Sequence, residues 1–310
     1  MKLILHFGIH RTGSTSIQRN LAANREVLKQ HGFLYPHIEG VVSPQSLPAK
    51  LNVEAASLKR LFRKVEKQAT QETHTVILSS EDLCTLGNYK FLEDIPKKFD
   101  VRVVLYLRRQ DLWLESWYNQ HVKWPWDADF SGSDIHYFVG KIKNFPWIDY
   151  KNLLARIERF LPRDKLHVES IGETGAASSV DDFLKFCSIN PGYLQKENNK
   201  NQSLSSAKID ILRRIDMIDL QESARLKILR GLGKIKIRED NGTRIFLTRS
   251  ERETIISNFS ESNLYVARRY FQRDKLFTEY LSKQAHPALV GDINAYQEYI
   301  PQILKKIAEE

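Results

Sequence analysis

The chain has 310 residues, 42% hydrophobic and 27% charged, with a formal net charge of +9. That length sets a prior of one or two domains, and the balance of apolar and charged residues excludes a disordered or fibrous chain. Two cysteines, Cys84 and Cys187, cannot build a disulfide framework, and no C-x-x-C or histidine cluster points to zinc. No run approaches the ~20 apolar residues of a membrane span.

The first apolar stretch is short, is interrupted by His6 and runs into a glycine turn, so it does not read as a signal peptide. The expected location is cytoplasmic. The positive balance favours anionic partners: a nucleotide, an acidic glycan or lipid surface, or nucleic acid. Peripheral contact with a membrane surface is compatible with it. No nucleic-acid module, zinc knuckle or basic-aromatic repeat is present, so nucleic acid is not an expected partner.

Leu3 to Phe7 has the length and composition of a buried parallel strand. A turn bounded by Gly8 and Gly13 follows, then Ser14-Thr15-Ser16 and apolar residues at helical spacing, Ile17, Leu21 and Leu28. Strand, glycine turn and helix N-terminus cradle an anion with backbone amides and the helix dipole. The Gly8–Gly13 spacing is that of G-x-x-x-x-G-K-[ST], but Ser14 stands where the lysine belongs. The cation sits earlier, at Arg11. Arg11, three hydroxyls and loop amides suit one anionic group with a departing bridging oxygen better than a magnesium-bound triphosphate.

Downstream, Ser14 to about His31 reads as a helix closed by Gly32. Val41 to Leu51 reads as loop and Ala55 to Gln68 as an amphipathic helix. Thr75 to Ser80 is a second strand, ending in Glu81-Asp82, and Val101 to Leu107 a third, ending in Arg108-Arg109. Strands alternating with helices predict a parallel sheet, which binds ligands at its carboxyl edge. Gly8, Glu81 and Arg108 all fall at that edge. Asp111 is placed to cap a helix over Leu112–Lys123. Trp124 to Tyr150 is aromatic-rich, suited to a sugar-binding face or a packed lid. Leu166 to Glu169 reads as a fourth strand and Val180 to Cys187 as a helix. The remainder is mostly helical: Ser205 to about Leu229, Ser250–Phe259, Ser262–Lys283 and Ala295 to about Ala308, with Gly231 and Gly233 as breaks. No repeat or linker demands a second domain.

The run His10-Arg11-Thr12-Gly13-Ser14-Thr15 resembles the first signature of sulfotransferases that use 3′-phosphoadenosine 5′-phosphosulfate, with arginine for the commoner lysine. Asn24-Arg25-x-x-Leu28-x-x-x-Gly32-Phe33-Leu34-Tyr35-Pro36 resembles the segment that follows it in bacterial polysaccharide- or glycolipid-type members. Asn198–Ser205 and Glu261–Tyr270 resemble further stretches of such members. In that family an arginine at a strand end and a serine eight residues on hold the donor's 3′-phosphate, and Arg108 and Ser116 match in spacing and order.

The resemblance implies an α/β, three-layer P-loop-like domain with a central parallel sheet. It implies one domain over residues 1–310, with a core of about 1–190 and a helical extension of about 200–310. It implies sulfuryl transfer to a hydroxyl of a carbohydrate or glycolipid, with adenosine 3′,5′-bisphosphate as product and no metal. Arg11, Thr12, Gly13, Ser14, Thr15 and Ser16 would hold the 5′-phosphosulfate, and Arg108 and Ser116 the 3′-phosphate. Glu81 is the first candidate base. His10 and His6 rival it, and His121 reads as a helix-surface residue. Glu81 could instead ligate magnesium or pair with Arg11. Gly231-Leu232-Gly233-Lys234 is a poor match to the family's C-terminal cofactor loop. The alternatives are a P-loop kinase-like phosphotransferase and a non-catalytic anion- or glycan-binding protein.

Overall fold

Five strands make one all-parallel sheet: β1 (Lys2–Phe7), β2 (Phe33–Leu34), β3 (Thr75–Ser80), β4 (Asp100–Arg108) and β5 (Leu166–Ile171), in the order β2-β3-β1-β4-β5. The computed structural model describes residues 1–38, 40, 44–171, 178–195, 204–215, 217, 219–238, 240, 242–277 and 293–309. The central strand β1 is apolar almost throughout because both its faces are covered. Ile4 packs with Ile77, Val104 and Tyr106 under Ile17, Leu21, Phe183 and Leu184 of the Ser14–Ala23 and Ser179–Cys187 helices. Phe7, fully buried, faces the other way against Tyr89 and Phe91. This is the expected α/β fold with helices flanking a central parallel sheet. The two-residue β2 is too short to leave a sequence signal. No helix among the described residues is long and apolar enough to cross a membrane.

Contacts divide the chain into two units. One comprises Met1–Arg109, Pro146–Asn199 and Phe259–Glu279 and holds the sheet. The other comprises Gln110–Phe145, Lys200–Asn258 and Tyr280–Glu310. The Gln110–Lys123 helix groups with late helices, and the Ser260–Phe271 helix groups with the sheet.

Several local expectations change. The helix after the glycine turn is two helices, Ser14–Ala23 and Arg25–Gln30. At the break, Asn24 exchanges hydrogen bonds with the Gln195 backbone and donates to the Asn20 carbonyl. Part of the predicted loop is helical over Leu47–Leu51, where Pro48 sits in the first turn, a position proline tolerates. Asp111 does not cap: the helix begins at Gln110, and Asp111 is fully buried in an ion pair with Arg252. Gly231 and Gly233 do not break a helix but lie inside Glu222–Lys234. A Cβ on Gly231 would come within 3.3 Å of the Ile303 carbonyl, so glycine there allows close helix approach. His121 is buried among Trp117, Trp126, Phe130 and Phe138, not at a surface. Of the predicted segments, residues 41–43, 198–203, 216, 218 and 278–283 lie outside the described residues.

Candidate functional site

The carboxyl edge of β3, β1 and β4 brings the loop, Glu81 and Arg108 together. Gly8 donates its N–H to the Ser80 carbonyl, and Arg108 Nη1 donates to the Arg11 carbonyl at 3.0 Å. Tyr150 fixes Arg108 by hydrogen-bonding both its backbone N–H and its carbonyl. The glycines have steric reasons. A Cβ on Gly8 would fall 2.3 Å from Ser14 Oγ, and one on Gly13 would fall 2.0 Å from Ser179 Oγ. Gly13 also has φ +90°, left-handed backbone that costs glycine least. Arg11 holds φ 67° without being glycine, so the turn carries local strain at the cation itself.

Gly13 occupies the cap position of the Ser14–Ala23 helix and offers no side chain to its first amides. Ser14 Oγ is buried, with no hydrogen-bond partner among the described residues. Thr12 bonds back to the Ile9 carbonyl and stiffens the turn, while Thr15 is exposed and Ser16 half-buried. Burial pulls the Arg11 guanidinium down from its ordinary range, though arginine remains a cation at working pH. The turn thus presents a guanidinium, a buried hydroxyl without a partner among the described residues and a helix start without a side-chain cap, the donor types from which anion sites are built.

Three acid–base candidates fare differently. His6 is fully buried, with Nδ1 2.8 Å from Ser79 Oγ, and burial pushes it down to about 3. It is a core residue. Glu81 is 5% exposed and accepts a hydrogen bond from Gln18 Nε2 at 2.8 Å, on the helix side of the loop. His10 stands on the loop with its Nε2 2.9 Å from Asp82 Oδ1, and the two side chains are 15% and 33% exposed. Asp82 is set by the turn after β3, where its N–H donates to Ser80 Oγ. Nε2 is the ring nitrogen that meets the carboxylate. A half-buried Trp147 lies 6.4 Å from His10, centroid to centroid.

The sequence reading missed Asp82 and Gln18. Asp82 was legible as the second carboxylate of Glu81-Asp82, but only strand pairing shows that it, not Glu81, faces the loop histidine. Gln18 is one helical turn from Ser14, a spacing that puts both on one face. Ser116 lies half-buried on the Gln110–Lys123 helix of the other unit, and its pairing with Arg108 is a proposal. Of the aromatic-rich segment, Phe130, Phe138, Phe145 and Tyr150 are core, while Trp126 and Tyr137 are exposed.

No known family profile matches the chain. A protein of Archaeoglobus fulgidus, described only as uncharacterized, is 30% identical over 245 residues, 76% of this chain and 63% of that one. The chain thus spans less than two thirds of that relative's length. A solved sulfotransferase from Alicyclobacillus acidocaldarius is similar at a TM-score of 0.42 and 12% identity, covering 73% of this chain and 99% of the other. A likeness that loose carries no argument about chemistry.

Proposed function

We propose that this protein transfers a sulfuryl group from 3′-phosphoadenosine 5′-phosphosulfate to a hydroxyl of a carbohydrate or glycolipid, in the cytoplasm. The observation that carries the reading is the cradle: a strained Arg11, an unpartnered buried Ser14 hydroxyl and an uncapped helix start, with Arg108 docked on the loop. The substitution of Ser14 for a P-loop lysine weighs against a triphosphate.

In this reading Ser14, Thr15, Ser16 and the loop amides hold the 5′-phosphate. Arg108 and Ser116 hold the 3′-phosphate. Trp147 offers the acceptor an aromatic wall. His10, oriented by Asp82, takes the acceptor's proton at Nδ1 as the new S–O bond forms. The bond from sulfur to the bridging oxygen breaks, and Arg11 balances the charge that stays on the phosphate. Glu81, buried against Gln18, holds the helix to the loop. Its geometry favours His10 as the base over Glu81. Positioning and preorganised charge do the work.

The test is calorimetry with adenosine 3′,5′-bisphosphate, AMP and ATP, alongside transfer from the phosphosulfate donor to a panel of sugars. The bisphosphate is expected to bind ten- to a hundredfold tighter than AMP, the worth of one charge-assisted fork, about 1.5–3 kcal/mol. Equal binding would remove Arg108 and Ser116 from the site. Preference for ATP would favour the phosphotransferase, and binding without transfer to any acceptor would favour the non-catalytic reading.

A further inference from the structure

A second chemistry-bearing cluster lies at the sheet's edge, apart from the groups assigned to transfer. His167 and Glu169 alternate along β5 and so project on one face. Asp182 meets them from the Ser179–Cys187 helix. One ligating atom from each lies within 4.8 Å of the other two, and all three residues are half-buried. His167 Nε2 is 2.8 Å from Asp182 Oδ2.

The surroundings prepare these groups. Tyr106 donates its hydroxyl to Asp182 Oδ2 at 2.9 Å, which orients the carboxylate. Phe186 stacks on the His167 ring at 4.4 Å and 22°, which fixes the imidazole plane. Both are the kind of outer-shell support that metal ligands receive. The Glu169 and Asp182 carboxylates lie together and repel one another. The Arg273 guanidinium donates to Ser170 Oγ and the Leu276 carbonyl. A cation between the carboxylates would remove the repulsion.

We propose that His167, Glu169 and Asp182 form a binding site for one first-row divalent cation, Zn²⁺ or Mn²⁺, that ties β5 to the Ser179–Cys187 helix. One imidazole with two carboxylates matches those ions; Mg²⁺ and Ca²⁺ prefer oxygen alone. Two ligand atoms on one such ion lie at most about 4.2 Å apart, so a small rotation of the side chains closes the set. The role is structural. The helix begins against the donor loop, where Ser179 abuts Gly13, and no proton or charge in the transfer passes through the cluster.

The experiment uses tag-free, chelator-stripped full-length protein titrated calorimetrically with ZnCl₂, MnCl₂ and MgCl₂. One equivalent of Zn²⁺ or Mn²⁺ is expected to bind and raise the melting temperature, with Mg²⁺ at least tenfold weaker. Glu169→Gln and His167→Gln are each expected to weaken binding tenfold or more, and Tyr106→Phe to weaken it less. Should His167→Gln fail to fold, Co²⁺ bound to the unaltered protein decides: X-ray absorption should report nitrogen and oxygen donors without sulfur. Absence of a stoichiometric site, or a site untouched by Glu169→Gln, overturns the proposal. Neither result bears on bisphosphate binding, so the transfer reading stands or falls separately.

Discussion

Two buried polar clusters in this protein are built on opposite terms. In the second unit, Arg252 is 3% exposed and reaches Asp111 Oδ2 at 2.7 Å and Glu115 Oε2 at 2.5 Å. The other Glu115 oxygen accepts from the Phe246 and Leu247 amides at 2.7 and 2.9 Å. Burial pushes the Glu115 carboxyl up, and Arg252 and the two amides oppose that. At the loop, by contrast, Ser14 Oγ is buried with no partner in the described residues, and the helix start lacks a side-chain cap. Buried polar groups are almost always satisfied within a folded chain. A cluster that satisfies itself is architecture. One that leaves a buried hydroxyl and a helix start unanswered is shaped for something it does not itself contain.

The comparison is tested hardest at His10. His10→Gln keeps the loop's size and removes the base, and should lower turnover 10²- to 10⁴-fold. Bisphosphate affinity and melting temperature should stay near those of the unaltered protein. Glu81→Gln should cost less than tenfold. If the two results exchange places, Glu81 is the base and the Asp82 pairing is incidental. Steady-state kinetics on both variants decides.

Arg252→Leu should give the reverse pattern. It strands two buried carboxylates, and removing one member of a buried ion pair costs about 3–5 kcal/mol. Urea unfolding should show that loss, while turnover of the folded fraction should hardly change. A stable variant with impaired transfer would mean that the triad belongs to the site after all.

The contrast also explains what the sequence could and could not yield. β1, β3 and β4 were legible because strands buried on both faces are continuous apolar runs. The loop was legible because glycine spacing, Arg11 and the hydroxyls are local. The triad was not. Asp111 sits where a helix cap belongs, and only a partner 141 residues away turns it into a core anion. Gly231 was misread for a similar reason, since its need for glycine comes from Ile303, not from its own helix. His10 and Asp82 are 72 positions apart and meet only because β1 pairs with β3 in register, Phe7 against Ser80.

Arg108→Ala should sharpen the loop side at smaller scale. The guanidinium already spends one hydrogen bond on the Arg11 carbonyl, so its loss should loosen the loop as well as remove a phosphate contact. Donor affinity should fall about ten- to a hundredfold, with turnover at saturating donor reduced much less. Calorimetry with adenosine 3′,5′-bisphosphate checks the first, and saturation kinetics the second. A large loss at saturation instead would move Arg108 into the chemical step.

His6 lies between the two clusters in kind, and its effect is expected to be the smallest and the most conditional. It is as buried as the triad, and its Nδ1 meets Ser79 Oγ, but its Nε2 has no partner among the described residues. Phe183 and Tyr106 pack against its ring. Burial pushes it down to about 3, so the folded chain keeps it neutral while the unfolded chain binds a proton below about 6.5. The unfolded state therefore holds more protons between those values, and stability must fall as pH drops from about 6.5 toward 3. One such group contributes a slope of at most about 1.4 kcal/mol per pH unit. His6→Gln should be less stable at neutral pH yet lose less on acidification, and the difference between the two urea-unfolding curves from pH 7 to pH 5 isolates this group from the carboxylates common to both. Parallel curves would mean that His6 is protonated in the folded chain. Its Nε2 would then be a further buried donor without a partner among the described residues, and the line between architecture and site would have to pass below β1 instead of above it.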